Sequence, residues 1–178
     1  RDQVPLLKDV VLIDSVRERK SNVPLLREIL ASCEPLPKER CVHTKNGQDI
    51  AVILCTSGTT GGTKGVLLTH DNVGYSEDTL NRELGLTEED IMFMPAPLHH
   101  ATGFHHAIIA PMLHGAKVVL QQKYQCRSAI ELMNREKVTY SMGATPFIYD
   151  ILRELETNGG AVPTLKFYLC GGAPVPGY

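Results

Sequence analysis

LCTSGTTGGTKGVLLTH, residues 54–70, sets apolar residues on both sides of a run of glycines and hydroxyls. The run, 56–65, directly follows the apolar stretch DIAVILC. A strand that enters a glycine-rich turn is a common way to meet phosphate. Glycine lets the backbone come close and turn its N–H groups inward. Thr56, Ser57, Thr59, Thr60 and Thr63 add hydroxyl donors, and Lys64 adds a positive charge. The Walker pattern G-x-x-x-x-G-K-[ST] is not met, because Thr63 precedes Lys64 and Gly65 follows it. A P-loop NTPase is therefore disfavoured.

Around this loop, short apolar runs alternate with amphipathic ones. Residues 9–14, 49–57, 65–69, 90–96, 116–120, 138–144 and 165–172 read as strands. Several are continuously apolar, as expected of strands covered on both faces. TPFIYDILRELE, 145–156, places Phe147, Ile148, Ile151, Leu152 and Leu155 on one helical stripe. Thr145 is expected as its N-cap, with Pro146 at the first helical position. Residues 126–137 and 24–32 give two further helices. Strand and helix in repeated alternation predict an α/β fold with a largely parallel sheet flanked by helices.

The chain has 178 residues, 43% of them apolar, enough for a sizeable core. With 18 basic and 20 acidic residues the formal charge is −2, and no basic run suggests a nucleic-acid footprint. No apolar run approaches the ~20 residues of a membrane span. The five cysteines are odd in number and widely spaced, without CxxC, which predicts free, mostly buried thiols in a reducing, cytoplasmic setting. The chain opens RDQVPLL, without Met, and is expected to be a piece of something longer.

The order of residues within the loop adds a resemblance. TSGTTGGTKGVLLTH is similar to the phosphate loop of the AMP-forming adenylate enzymes, which include acyl-CoA synthetases, luciferases and peptide-synthetase adenylation domains. Their pattern is T-S-G-[ST]-T-G-x-P-K-G-V followed by x-x-[ST]-H. It is met from Thr56 to Gly61 and at Lys64, Gly65, Val66, Thr69 and His70, with Thr63 where the family has Pro. The resemblance implies that Thr56, Ser57, Gly58, Thr59, Thr60, Gly61 and Lys64 hold the phosphates of ATP while a carboxylate attacks the α-phosphorus.

Two further stretches agree. MPAPLHHATGFHHAI, 94–108, carries His99, His100, His105 and His106. Imidazoles are common metal ligands. No Cys or carboxylate lies among them, however, and neighbouring side chains on one element diverge, so no metal site is read here. PLHHATG resembles the family's P-L-[FY]-H-x-x-G segment. His100 then aligns with the histidine near the acyl carboxylate and α-phosphate, and Gly103 with the glycine at the helix start. His99 replaces an aromatic residue. His105 and His106 are read as helix-face residues or as part of an acyl-pocket wall. YLCGGAPVP, 168–176, resembles the G-G-A-[PE] segment, which implies that Gly171, Gly172, Ala173 and Pro174 line the adenine and acyl pocket.

The family continues with a T-E segment whose Glu helps bind Mg²⁺, a T-G-D segment that binds ribose, and a small mobile C-terminal domain carrying a lysine. None of these segments follows YLCGGAPVP within residues 1–178. The expectation is a partial N-terminal adenylation domain with negligible turnover by itself, using ATP, Mg²⁺ and CoA in the parent protein. Amino-acid-activating relatives place an Asp after the second motif to pair with the substrate ammonium. Here Phe104 to Ile108 contain none, which favours an acid without an α-amino group. The wording is most similar to short- or medium-chain fatty-acid and alicyclic-acid CoA ligases. A stand-alone nucleotide-binding module, or a relative using an acceptor other than CoA, stays open at this point.

Overall fold

The computed structural model describes residues 24–37, 46–56 and 62–175. The chain divides into two units, Arg1–Lys45 and Asn46–Tyr178. In the first, α1 spans Leu26–Ser32. The Glu28 carboxylate accepts the Leu25 N–H at 3.2 Å and closes the first turn. The strand expected at residues 9–14 lies outside the described residues.

The second unit holds a four-stranded sheet in the order β4-β3-β5-β6, every pair parallel. Its strands are β3 Ile91–Met94, β4 Lys117–Leu120, β5 Tyr140–Gly143 and β6 Phe167–Cys170. Side chains alternate across β3, as the period of two requires. Met92 and Met94 enter one apolar cluster with Ala107, Tyr140 and Met142. Phe93 enters the other, with Val119, Ala129, Met133, Val138 and Ile151. Both faces are therefore covered, which explains why these strands read as continuous apolar runs. Helices α5 (Cys126–Glu136) and α6 (Thr145–Asn158) supply Ala129, Met133 and Ile151 to the Phe93 face.

The other two predicted strands behave differently. β1 (Ile50–Thr56) and β2 (Lys64–Thr69) form an antiparallel hairpin outside the parallel sheet. Ile50, Ile53 and Leu67 are each more than half exposed. The expectation of two covered faces holds for β3 and β5 but not for this hairpin.

Two helices were not legible as such. α2 (His70–Glu83) starts at Thr69, whose hydroxyl accepts the Asn72 N–H at 3.2 Å while Asn72 Oδ1 accepts the Thr69 N–H at 3.2 Å. Its buried face is Val73, Glu77 and Asn81, so two polar residues interrupt the apolar stripe. The second is continuous in space but changes pitch. It comprises α3 (Ala101–Phe104), a π-helical turn (His105–Ile109) and α4 (Ala110–His114). The Ala110 N–H reaches back five residues to the His105 carbonyl. Pro111 follows at once. It has no N–H and its ring crowds the carbonyl four residues back, so a wide turn here avoids that clash.

The helix over 145–156 forms as predicted but is capped differently. Ala144 is the N-cap, which puts Thr145 and Pro146 at the first two helical positions. The Thr145 hydroxyl instead donates to the Pro174 carbonyl at 3.3 Å and accepts from the Cys170 thiol at 3.4 Å. Tertiary partners outside the helix have taken the group a local cap would use.

Asp90 braces the amino-terminal edge of the sheet. It is 2% exposed, and its carboxylate accepts from the Thr87 N–H (3.0 Å), the Thr139 hydroxyl (2.8 Å) and Lys166 Nζ (2.7 Å). Burial pushes its pKa up, but the Lys166, Thr87 and Thr139 contacts outweigh that and hold it below the usual carboxylate value. A depressed folded-state pKa contributes stability that is present above the unfolded value and lost as pH falls through the folded one. Asp90→Asn is therefore expected to cost about 2–3 kcal/mol at neutral pH. It should also flatten the acid limb of the stability curve below the ordinary aspartate pKa of 3.8. Urea unfolding at a series of pH values measures both, and an unchanged acid limb would remove Asp90 from this role.

Candidate active site

The chain runs from β3 out to β4 on one side, then crosses back to β5 and β6 on the other. The connections diverge between β3 and β5, and in open α/β sheets such a switch point at the carboxyl ends of the strands is where ligands bind. The segments singled out by their sequence gather at this edge. Residues 95–100 leave β3, Gly143 ends β5, and Gly171–Gly172 follow β6.

His100 is the N-cap of α3. Its Nδ1 accepts the Thr102 N–H at 3.2 Å, and its own N–H donates to the Pro97 carbonyl at 3.1 Å. With Nδ1 accepting, the ring proton sits on Nε2, which makes that edge a hydrogen-bond donor. The turn depends on Gly103. A Cβ there would press into the Pro97 carbonyl oxygen and stand 2.7 Å from the Pro97 carbonyl carbon and 2.9 Å from Leu98 Cα. His99 diverges from His100 as expected and lines a separate cavity of about 640 Å³ with Leu98, Tyr124 and Phe147.

A cavity of about 290 Å³ is lined by Thr102, His106, Met142, Cys170, Gly171 and Gly172, among others. It joins the second and third predicted motifs. Gly172 has φ +79°, a left-handed conformation that glycine adopts without strain. The Gly171 N–H donates to the Gly143 carbonyl at 3.4 Å, and Thr145 holds the Pro174 carbonyl, so the glycine turn is fastened to β5 and α6. Ala173 and Pro174 are exposed beside it.

Of the phosphate-loop residues, Ser57, Gly58, Thr59, Thr60 and Gly61 lie outside the described residues. Thr56 and Lys64 are exposed cross-strand partners at the open end of the hairpin, so a hydroxyl and a cation flank the loop's two ends. That donor set fits a polyanion such as the phosphates of ATP.

One site residue was missed. Glu77, on α2, is 3% exposed, and both of its carboxylate oxygens face histidines. Oε1 is 3.3 Å from His105 Nδ1, and Oε2 is 3.0 Å from His106 Nδ1. The Ser76 hydroxyl also donates to Oε1 at 3.1 Å. Burial alone would raise the Glu77 pKa. The hydrogen bond and charge of His106, then Ser76 and His105, outweigh it and hold the carboxyl below its usual range. The expectation that adjacent histidines diverge fails here, because rings from the wide π turn converge on one carboxylate. The available signal was the polar pair Glu77 and Asn81 at buried-face spacing on α2. Among the described residues, no three His, Cys, Asp or Glu side chains gather in a way that could hold a metal ion. Cys33, Cys55, Cys126 and Cys170 are free thiols, but none of the four is buried as expected: Cys33 and Cys55 are exposed, and Cys126 and Cys170 are half-buried. No helix among the described residues is long and apolar enough to cross a membrane.

Sequence comparison matches residues 2–177 to the AMP-binding enzyme family. The chain belongs to the AMP-binding enzyme family. A medium-chain fatty-acid–CoA ligase of Escherichia coli (strain K12) is 39% identical to this AMP-binding chain over 176 residues, covering 99% of it. The same match covers 30% of that ligase, so the chain spans under a third of its relative's length. Among solved structures, O-succinylbenzoate coenzyme A synthetase from Bacillus subtilis in complex with AMP is 30% identical, with a TM-score of 0.66 over 74% of this chain and 26% of that one. The N-terminal domain of FACL13 from Mycobacterium tuberculosis, 24% identical, matches in fold with a TM-score of 0.71, covering 84% of this chain and 37% of that one. These neighbours agree with the α/β architecture and the parallel sheet found in this AMP-binding chain.

Proposed function

We propose that residues 1–178 are part of the N-terminal adenylation domain of an AMP-forming acid–CoA ligase. The enzyme joins a carboxylic acid to ATP, releases pyrophosphate, and passes the acyl group from acyl-AMP to CoA. The observation that carries the reading is the convergence of two segments on one cavity at the switch point: the helix capped by His100, and the Gly171–Gly172 turn.

In this reading Thr56, Ser57, Gly58, Thr59, Thr60, Gly61 and Lys64 hold the β- and γ-phosphates. His100 Nε2–H donates to oxygen at the acyl carboxylate and α-phosphate, where charge builds up in the transition state. Gly103, Gly171, Gly172, Ala173 and Pro174 shape the acid and adenine subsites. Mg²⁺ travels with ATP and takes most of its ligands from beyond this segment. Both Glu77 oxygens are engaged by His105 and His106, so this carboxylate is not left over to pair with a substrate ammonium. That supports an acid without an α-amino group, in the short- or medium-chain class. The reduced thiols suit a cytoplasmic setting.

The test uses the full-length protein carrying this segment, with ATP, Mg²⁺, CoA and a panel of carboxylic acids. Acid-dependent release of both pyrophosphate and AMP is expected, and it should stop when magnesium is removed with EDTA. Release of ADP and phosphate, or no nucleotide turnover with any acid, would overturn the reading.

A further inference from the structure

We infer that His106, held in place by Glu77, forms a polar floor in the acid cavity and sets the longest acyl chain the protein accepts. This rests on the reading above, in which the acid's carboxylate lies near His100.

A carboxylate only accepts hydrogen bonds, so the 3.0 Å contact of Glu77 Oε2 requires a proton on Nδ1 of His106. Nδ1 of His106 is thereby committed, and the ring's remaining polar atom is Nε2. The side chain is 26% exposed and forms part of the wall of the 290 Å³ cavity, with Thr102 and the glycine turn. His106 lies six residues beyond His100, roughly 9 Å along a helix rising 1.5 Å per residue. A short acid anchored at His100 ends before this edge. A longer alkyl chain must strip water from Nε2 and offers no hydrogen bond in return, a penalty of roughly tenfold or more in affinity.

The floor holds only if the ring cannot swing aside. Glu77 fixes it from α2, and α2 is itself tied to the end of the π turn. Asn81 Nδ2 donates to the Ala110 carbonyl at 2.9 Å. Glutamine at position 77 would lose the charge and offer a donor NH2 in place of one carboxylate oxygen, so it would hold the Nδ1–H of His106 less firmly. Glu77 is thus a positioning residue, acting on the substrate only through His106.

The test is kcat/KM for straight-chain saturated acids of stepwise increasing length, read as pyrophosphate release by the full-length protein. Wild type should lose efficiency abruptly beyond one chain length. His106→Ala should move that limit to longer acids, with a gain of about tenfold for the first acid that wild type rejects. Glu77→Gln should move it the same way by less, with the KM for ATP unchanged in both. A purely structural role would lower the active fraction without shifting the length profile. Should His106→Ala fail to fold, Glu77→Gln decides alone. Active variants whose length profiles superimpose on wild type overturn the inference while leaving the ligase reading intact. Wild-type protein that releases no pyrophosphate with any acid overturns both.

Discussion

Gly103→Ala should abolish most acid activation, with kcat/KM for pyrophosphate release falling about 100-fold or more. The added methyl meets backbone, namely the Pro97 carbonyl and Leu98 Cα, and no side-chain rotation can relieve it. The start of α3 must move away from Pro97–Leu98. His100 moves with it, because the His100 N–H is bonded to Pro97 and the His100 carbonyl accepts the Phe104 N–H. A displacement of about 1 Å at a reacting centre costs on the order of 10²-fold, and the overpacking itself costs about 1–3 kcal/mol in stability. Gly74→Ala is the matched control. A Cβ at Gly74, inside α2, meets nothing within 4 Å, so this change should leave activity in place and stabilise by up to about 1 kcal/mol. Thermal unfolding and pyrophosphate release on both variants give the comparison. Full activity in Gly103→Ala would mean that the turn carrying His100 does not position a reacting group.

Lys64→Ala is the second large effect. Lys64 stands opposite Thr56 where the hairpin opens into the glycine-rich loop. In the proposed reading Lys64 meets developing phosphate charge, and removing that cation should lower kcat/KM by about 10²–10³-fold. Both residues are exposed strand-end positions, and surface changes of this kind stay within about 0.5 kcal/mol of wild-type stability. Lys64→Arg keeps the charge but alters its reach and geometry, and should recover part of the loss. Activity within about threefold of wild type in Lys64→Ala would separate the loop from phosphate handling, since a lost charge at the phosphates costs far more than that.

The structure bears out most of what local pattern could predict. β3, β4, β5 and β6 form where apolar runs predicted them; β3 and β5 are buried on both faces, as such runs demand, while the edge strands β4 and β6 are only partly covered. α5 and α6 form where an apolar stripe recurs at helical spacing. β1 and β2 carry the same kind of run, yet they pair as a separate, exposed hairpin. Apolar composition reports a strand's need for cover, but not which partner meets it. α2 was hidden because Glu77 and Asn81 occupy positions where a stripe should be apolar.

The sequence alone determined the family and the α/β class, and it singled out the glycine-rich loop and the His100 and Gly171–Gly172 segments as candidates. Each is written in residues close together in the chain, where spacing carries the physics. Tertiary structure alone decided how those residues are held. It moved the Thr145 hydroxyl from a local cap to Pro174, and it brought Glu77 to His106, twenty-nine positions away. A buried carboxylate must find hydrogen-bond donors wherever folding brings them, and no local pattern records where those donors will be.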